Sequence, residues 1–478
     1  MTFSSPVFLF LFFPLTVCGY FLIPAKYLRG RNAFLTVASL IFYAFGEPVA
    51  MLLMLLVVAW SWGSALLMAK CRRSGQKRLF QVLGVLGDLA VLILYKYADF
   101  LITSANDLFG TAFPLMKLRL PIGISFFVFQ AVSYVMDTAR GEAEPQKSYF
   151  RLLLYIAFFP QLIAGPIVRY QTVADALSAR KTTPEMLAKG VRRMIFGLSK
   201  KLLIADTLGQ ITDTVYGMTD SLALPAAWLG AVCYAFQIFY DFSGYSDMAI
   251  GMGQIFGFSF PENFRFPYCA RTLTDFWRRW HISLTTWFRQ YLYIPLGGNR
   301  RGRLRTVLNK WIVFLCTGLW HGASWNFVLW GIIHGFFMSL EQLFSGGKKR
   351  SGRKRVGALK GFLLHIYTLL VVVLAFVVFR AEDLPEAMRM YRAMFTGFPL
   401  TNAALSAGLM QLSPLVLTVL GAAVLFATPL PEKTVRCGEK HAASATGVLL
   451  GAVSLVLLVL CMMNAAATVY HPFIYFRF

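Results

Sequence analysis

The stretch Lys310-Trp-Ile-Val-Phe-Leu-Cys-Thr-Gly-Leu-Trp-His-Gly-Ala-Ser-Trp-Asn326 decides the fold class, because it places an ionisable imidazole inside an apolar run. His321 follows a strongly basic segment that ends at Lys310. At about 1.5 Å per helical residue, the histidine lies roughly 16 Å below that segment, near the middle of a hydrocarbon core about 30 Å thick. Polar groups at that depth are usually functional, so the stretch predicts a membrane protein with a buried site.

The composition is that of a chain built from membrane helices. Of the 478 residues, 57% are hydrophobic, 15% are aromatic and only 14% are charged, and the mean hydropathy is +0.61. Apolar runs long enough to cross a bilayer recur from end to end, which predicts an all-α polytopic protein with one membrane domain over residues 1–478. The predicted spans are 5–24, 33–46, 49–69, 79–95, 120–137, 148–166, 190–208, 226–256, 311–345 as a returning hairpin, 358–379, 412–429 and 445–466.

The positive charge lies where a membrane protein carries it. The formal net charge is +24, but the cations cluster in short loops between apolar runs, at 70–78, 300–310 and 348–355. Such loops mark the cytoplasmic side and contact anionic headgroups, so the charge indicates membrane lipids rather than nucleic acid as partners. With these loops inside, both termini are predicted to be extracytoplasmic. The seven cysteines show no CxxC spacing, so neither a disulfide framework nor a metal site is predicted.

A second segment, from Thr274 to Arg300, combines aromatic residues with arginines. Its aromatic residues recur at three- and four-residue spacing and its charges fall on another face, which predicts an amphipathic helix, capped by Thr274, at the cytoplasmic interface. One interpretation is a membrane-surface anchor. The other is that Arg278, Arg279 and Arg289 bind the phosphates of an acyl donor such as coenzyme A or phosphopantetheine.

Two interpretations of His321 remain open. It can be a packed histidine that hydrogen-bonds between helices, as is common in membrane proteins. Alternatively, the residues around His321 have small side chains that leave space beside the backbone, and Asn326 adds hydrogen-bonding groups. Both features favour an opening in the protein at His321 over a packed seam between helices. His334 follows 13 residues later, about 220° around a straight helix, so the two histidines would share a face only if the glycines break the helix. His334 is therefore predicted to be supporting or structural.

Two further sites place polar groups in apolar segments. Asp241 and Asp247 lie in an apolar run, where carboxylates need partners. They can pair with an arginine or a tyrosine hydroxyl, or they can orient the histidine or the donor. The aromatic tail at 471–478 carries one central phenol, Tyr475. The tail can belong to an interfacial aromatic belt, or it can enter a funnel in the protein and present Tyr475 as a nucleophile.

Six motifs of this chain occur in the order of one known family. They are Pro121-Ile-Gly-Ile-Ser-Phe-Phe127, Phe159-Pro-Gln-Leu-Ile-Ala-Gly-Pro166, Phe239-Tyr-Asp-Phe-Ser-Gly-Tyr-Ser-Asp247, Asp275-Phe-Trp-Arg-Arg-Trp-His-Ile-Ser-Leu284, Tyr293-Ile-Pro-Leu-Gly-Gly-Asn299 and Gly318-Leu-Trp-His-Gly322. With them the chain resembles the membrane-bound O-acyltransferase family, most closely its bacterial polysaccharide branch, typified by the membrane subunit of alginate O-acetylation. The tail is similar to that of a small single-span protein of teichoic-acid D-alanylation systems, in which a tyrosine accepts the acyl group.

The resemblance implies a fold and a site. The fold is a ring of tilted transmembrane helices, with re-entrant and interfacial helices, around a thin centre. The core would cover about 100–400, between N-terminal spans at 5–95 and C-terminal spans at 412–466. In this family a cytoplasmic donor cavity and an extracytoplasmic funnel meet near a buried catalytic histidine, which His321 matches. His281 matches the second characteristic histidine.

The resemblance also implies a function. It is that of an acyltransferase that moves a small acyl group, acetyl first of all, from a cytoplasmic thioester across a bacterial plasma membrane toward an extracytoplasmic polysaccharide. No bound cofactor is implied, since the donor, acetyl-coenzyme A or an acyl carrier protein, is a substrate. An extracytoplasmic esterase-like acyltransferase is the implied partner. His321 would be the general base, and Tyr475 a candidate acceptor. The alternatives are a lipid-modifying acyltransferase of the same family and a non-enzymatic exporter.

Overall fold

The computed structural model describes residues 1–218, 222–344, 357–397, 401–433, 445–467 and 473–474. Throughout these residues the regular secondary structure is helical, as predicted. The α-helices are α1 (Phe13–Leu22), α2 (Leu28–Ala44), α3 (Pro48–Lys70), α4 (Ser74–Leu92), α5 (Ala98–Phe109), α6 (Ile124–Arg140), α7 (Tyr149–Ala157), α8 (Phe159–Leu162), α9 (Tyr170–Ser178), α10 (Pro184–Ser199), α11 (Asp206–Tyr216), α12 (Leu224–Ile255), α13 (Leu273–Trp277), α14 (Ile282–Phe288), α15 (Arg303–His321), α16 (Trp325–Phe344), α17 (Ala358–Arg380), α18 (Leu384–Thr396), α19 (Asn402–Leu409), α20 (Pro414–Phe426) and α21 (Ala445–Ala467). The π-helical segments are Phe8–Phe12, Ile93–Tyr97, Lys200–Ala205 and Arg289–Tyr293, and Pro267–Cys269 is a 3₁₀ turn.

Several predicted spans are confirmed by helix length and composition. The described residues include five helical segments that are long and apolar enough to cross a membrane: Pro48–Lys70, Ser74–Phe109, Trp325–Phe344, Ala358–Arg380 and Gly447–Ala467. The prediction of one span at 148–166 is wrong, because α7 ends at Ala157 and only the four-residue α8 follows. Pro160 explains the break, since a proline lacks the backbone donor and clashes with the preceding helical turn.

The chain divides into two compact units, and each is described by itself. Among the described residues, the first unit contains 1–194 and 245–262, and the second contains 195–244 and 263–474. In the first unit Ser61 Oγ lies 2.9 Å and 3.0 Å from the two carboxylate oxygens of Asp88, and both side chains are fully buried. Because buried polar groups need a partner, this contact joins α3 to α4.

The predicted returning hairpin is confirmed in the second unit, where α15 and α16 lie side by side. α15 starts at Arg303, so part of the predicted basic loop forms the first turns of a helix instead. The helix ends at His321, because Gly322 is extended with φ −166° and ψ 153°. At 1.5 Å per residue, His321 lies roughly 27 Å along the axis from the start of α15.

The two helices of the hairpin pack through glycines. A Cβ atom at Gly318 would lie 2.2 Å from the carbonyl oxygen of Phe327, and one at Gly331 would lie 2.5 Å from that of Phe314. Contacts this short with backbone atoms leave room for glycine alone, as in other closely packed membrane helices. The glycines therefore form a packed seam where α15 faces α16.

Two π-helical segments lie in the second unit. Lys200–Ala205 leads directly into α11, and Arg289–Tyr293 directly follows α14. A π-helical turn contains more residues than an α-helical turn, so it changes the direction in which the following side chains point. π-bulges are rare and are frequently found at functional sites, so both segments are candidate positions for functional side chains.

Candidate active site

His321 is held among aromatic rings at the C-terminal end of α15. Only 4% of its surface is exposed. Its imidazole contacts Trp320, Trp330 and Phe379 in edge-to-face geometry, with ring centroids 4.9 Å, 5.1 Å and 5.1 Å away. Such contacts are favourable for aromatic rings and restrict the imidazole to one orientation. The histidine is therefore a fixed titratable group in apolar surroundings, where electrostatic interactions are stronger than in water.

His334 lies in the same surroundings. The break after α15 turns the chain back, and the ring of His334 on α16 comes within 4.8 Å of Trp330, measured between centroids. Its Nδ1 atom accepts a hydrogen bond from Trp277 Nε1 at 3.4 Å. The condition predicted from the sequence is met, since the helix does break and both His321 and His334 contact Trp330.

His281 is fully buried and has a left-handed backbone, with φ 42° and ψ 56°. Asn263 holds it, because Asn263 Oδ1 lies 3.2 Å from the imidazole Nδ1 and also accepts a hydrogen bond from Ser283 Oγ at 2.9 Å. The Phe242 ring packs edge-to-face on the imidazole at 4.6 Å. Burial lowers the pKa of His281 to about 3, so this imidazole is neutral at physiological pH.

Tryptophan rings connect the three histidines. Trp320 contacts both His281, at 5.8 Å, and His321, and Trp330 contacts both His321 and His334. We call this group the histidine–tryptophan cluster; its members are His281, His321, His334, Trp277, Trp320 and Trp330. It brings together residues that lie far apart in the sequence, and it includes both histidines predicted to be catalytic.

The aromatic segment that carries His281 is helical but not continuous. α13 and α14 are separated by residues 278–281, of which His281 has a left-handed backbone, so the prediction of one helix from Thr274 onward is wrong. The predicted cap is also wrong: Thr272 Oγ1 accepts the hydrogen bond from the Asp275 N–H, at 3.0 Å. Thr274 instead donates from both its N–H and its hydroxyl to the Glu341 carboxylate, at 3.0 Å and 2.8 Å. Glu341 thereby fixes the start of α13.

The aromatic side chains of this segment face the protein interior. Each is at most 8% exposed, together with the leucine between them: Trp277, Trp280, Leu284, Trp287, Phe288 and Tyr291. A membrane-surface anchor would direct these side chains toward lipid. That interpretation is therefore wrong, and the segment is part of the core of the second unit.

The three arginines predicted to bind the donor differ in their surroundings. Arg278 and Arg289 are exposed. Arg279 is half-buried and forms an ion pair with Asp275, with Nε and Oδ1 3.0 Å apart, and its Nη1 donates to the carbonyl of Arg265 at 3.4 Å. An anionic ligand would therefore compete with Asp275 for Arg279, whereas Arg278 and Arg289 are exposed residues.

Both predicted carboxylates form ion pairs. Asp247 pairs with an arginine, as one interpretation predicts: its Oδ1 lies 2.9 Å from Arg193 Nη2. Asp241 pairs with a lysine instead, and its Oδ1 lies 2.6 Å from Lys201 Nζ. Asp247 and Asp241 thus form separate ion pairs, each within its own unit.

Asn326 and Tyr475 are the two remaining predicted residues, and neither is a member of the histidine–tryptophan cluster. Asn326 is 3% exposed and donates from Nδ2 to the carbonyl of Ala381 at 2.7 Å, so it fastens the start of α16 to the end of α17. Tyr475 lies outside the described residues. The two residues before it, Phe473 and Ile474, are described and are buried.

Sequence reasoning missed the residues that hold the histidines in place. Asn263 does so by a hydrogen bond to His281, and Trp320 and Trp330 do so by ring contacts; Glu341, also missed, fixes the start of α13 through Thr274. The available signal for Asn263 was a single amide in the aromatic run up to Tyr268. Chemically, the arrangement offers a buried imidazole that can exchange a proton, held among aromatic rings.

The chain is similar to known proteins along its whole length. The model of the MBOAT, membrane-bound O-acyltransferase family matches residues 122–371. A protein of Pseudomonas putida named probable alginate O-acetylase is 39% identical over 100% of both chains. The peptidoglycan O-acetyltransferase of Helicobacter pylori is 35% identical over 82% of this chain and 80% of its own. The teichoic acid D-alanyltransferase of Bacillus subtilis is 30% identical over 48% of this chain and 60% of its own.

Proposed function

The chain belongs to the membrane-bound O-acyltransferase family, and from this premise we propose that it moves acetyl groups from a cytoplasmic thioester toward an extracytoplasmic polysaccharide or cell-envelope glycan. Its family and its full-length relatives make it an O-acetyltransferase, and its long apolar helices make it a membrane protein. The names of its relatives, which act on alginate, peptidoglycan and teichoic acid, support an envelope glycan as the acceptor class.

The observation that carries the proposal is the position of His321. It is 4% exposed, ends α15 and contacts three aromatic rings. In the proposed reaction its neutral imidazole takes the proton of an acceptor hydroxyl while that oxygen attacks the thioester carbonyl carbon. The C–O bond forms as the C–S bond breaks, and the imidazolium returns the proton to the departing thiolate. Alignment of donor and acceptor would supply much of the remaining rate enhancement.

The supporting residues have proposed roles that follow from their contacts. His281 is held by Asn263 and lies at the break before α14, so it would position the donor. Arg278 and Arg289 would contact the donor phosphates, because they are exposed near that break. His334 would support His321 through Trp330.

The donor, the partner and the location complete the proposal. The donor is acetyl-coenzyme A or an acetylated carrier protein, and the protein lies in a bacterial plasma membrane with both termini extracytoplasmic. Tyr475 would accept the acetyl group and pass it to an esterase-like acyltransferase outside the membrane, which would acetylate the glycan. The resemblance of the aromatic tail supports the role of Tyr475.

The arginines offer a first prediction. Arg278→Gln and Arg289→Gln should each raise the KM for the donor by roughly 10- to 100-fold with a smaller change in kcat, because each removes a charge-assisted contact of about 1.5–3 kcal/mol. Arg279→Gln should have a smaller effect, since Asp275 already engages this side chain. Steady-state kinetics of thiol release from purified protein would measure both constants. Arg392→Gln, at an exposed arginine on α18, is the control; equal KM values in all four variants would contradict donor binding by this segment.

Mass spectrometry tests the proposed transfer directly. Purified protein incubated with acetyl-coenzyme A should gain one acetyl group on Tyr475, and neither His321→Ala nor Tyr475→Phe should gain it. An acetyl-free tail with thiol release that depends on His321 and on an added acceptor would exclude the tail as carrier and retain direct transfer. Absence of both signals, with the donor supplied also as an acetylated carrier protein, would contradict the acyltransferase proposal.

A further inference from the structure

The second unit contains a buried charge cluster outside the histidine–tryptophan cluster. Lys201 Nζ lies 2.6 Å from Asp241 Oδ1 and 2.7 Å from Asp206 Oδ1. The side chains of Lys201 and Asp241 are 2% and 4% exposed. One cation faces two carboxylates, so the three groups together carry a net charge of −1. Buried ion pairs are favourable when further hydrogen bonds satisfy the remaining polar atoms, so a further donor to Asp241 would stabilise this cluster.

The C-terminal segment supplies that donor. The backbone N–H of Ile474 donates to Asp241 Oδ2 at 2.8 Å, across 233 residues of sequence. The ring of Phe473 lies 4.8 Å from Lys201 Nζ, within the distance of a cation–π contact. Phe473 and Ile474 are 1% and 4% exposed, so this part of the tail is inside the protein rather than in an interfacial belt.

The helix that carries Lys201 departs from α-helical geometry at this residue. Lys201 lies in the π-helical segment Lys200–Ala205, and Asp206 is the first residue of α11. π-helical turns are rare and are frequently found at functional sites. The turn places the cation where it contacts both Asp241 and the tail.

We propose that Lys201 and Asp241 form an internal docking site for the C-terminal segment of this chain, and that they are positioning residues for the tail nucleophile. The inference rests on the proposed function, in which Tyr475, the residue directly after Ile474, accepts the acetyl group. Docking of Phe473 and Ile474 fixes the chain immediately before the nucleophile, which lowers the entropy lost when Tyr475 meets the donor. Asp241 thus gains a role that its position in an apolar helix alone did not reveal.

The docking itself is tested by hydrogen exchange of the full-length protein in detergent. The Ile474 amide, bonded to a buried carboxylate, should exchange at least tenfold more slowly than in the free C-terminal peptide. Asp241→Ala should remove this protection. The control is Asp213→Ala, which breaks another carboxylate–cation pair of the second unit, with Arg380, and should leave the protection unchanged. An Ile474 amide that exchanges as in the free peptide in the unsubstituted protein would overturn the docking site.

The proposed positioning of Tyr475 is tested by substitutions at Ile474, because these leave the ion pair between Lys201 and Asp241 unchanged. Ile474→Pro removes the N–H donor, and Ile474→Ala keeps it while removing a similar part of the side chain. Acetylation of Tyr475 by acetyl-coenzyme A should be at least tenfold slower in Ile474→Pro than in Ile474→Ala. Equal rates in the two variants would overturn the positioning role even if the tail is protected. Normal protection together with an acetyl-free Tyr475 in the unsubstituted protein would retain docking and instead contradict the proposed function of the tail.

Discussion

His321→Ala is expected to lower the kcat of acetyl transfer by about 10²- to 10⁴-fold, the range that a positioned general acid–base contributes. The imidazole is the side chain at the end of α15 that can exchange a proton, and three rings keep it in one orientation. Alanine also leaves a cavity beside Trp320 and Trp330, so His321→Gln, which keeps most of the volume, should be measured with it. Thiol release by the purified variants gives the rates.

A second histidine serves as the control for this prediction. His365 lies on α17, and its Nδ1 is 2.7 Å from the carbonyl of Ala270, in a contact outside the histidine–tryptophan cluster. His365→Ala should therefore stay within about threefold of the parent rate, since the lost hydrogen bond lies outside the cluster and would cost only about 1 kcal/mol of folding stability. If His321→Gln retains the rate of the parent and of His365→Ala, His321 is not the general base.

Gly318→Ala is expected to have the second largest effect, through packing rather than chemistry. The added methyl carbon would lie 2.2 Å from the carbonyl oxygen of Phe327, and neither backbone can move without separating α15 from α16. Overpacking typically costs about 1–3 kcal/mol, and a contact with backbone puts this variant at the upper end. Because His321 is three residues further along α15, the site should be displaced together with the seam.

The half-life of acetyl transfer in detergent at raised temperature measures this effect. Gly318→Ala should shorten it at least tenfold and should also lower the initial rate. Gly335→Ala is the matched control on α16: its methyl carbon would be 3.4 Å from the Trp311 ring, an ordinary contact, so both quantities should stay near those of the parent. Equal losses in the two variants would show that helix separation at Gly318 is not the cause, and a Gly318→Ala variant with the half-life of the parent would show that the seam tolerates a methyl group.

The parts of the fold that could be predicted are helices whose signal lies within one continuous segment of the sequence. The apolar runs at 49–69 and 358–379 predicted helices α3 and α17 closely, because membrane length and hydropathy are properties of one segment. The hairpin was predictable for the same reason, since Gly322 interrupts the run after His321. A proline at position 160 gave an equally local signal, and its effect on the predicted span was underestimated.

The parts that the sequence could not predict depend on contacts between distant residues. The break at His281 preserves the three- and four-residue spacing of the aromatic side chains, so the periodicity of one helix and of two short helices is the same. The cap of α13 comes in part from Glu341, 67 residues from Thr274. The partners of Asp241, Lys201 and Ile474, lie 40 and 233 positions away, and nothing in the local sequence specifies either.

Because His281 has a left-handed backbone, a substitution at this position changes the local backbone energy as well as the side chain. Non-glycine residues with φ near 42° carry steric strain, and asparagine tolerates that region far better than alanine does. An alanine scan at residue 281 would therefore combine the loss of the imidazole with a change in local backbone energy of about 1 kcal/mol. His281→Asn separates the two contributions, because it removes the ring and keeps a residue type suited to the turn between α13 and α14.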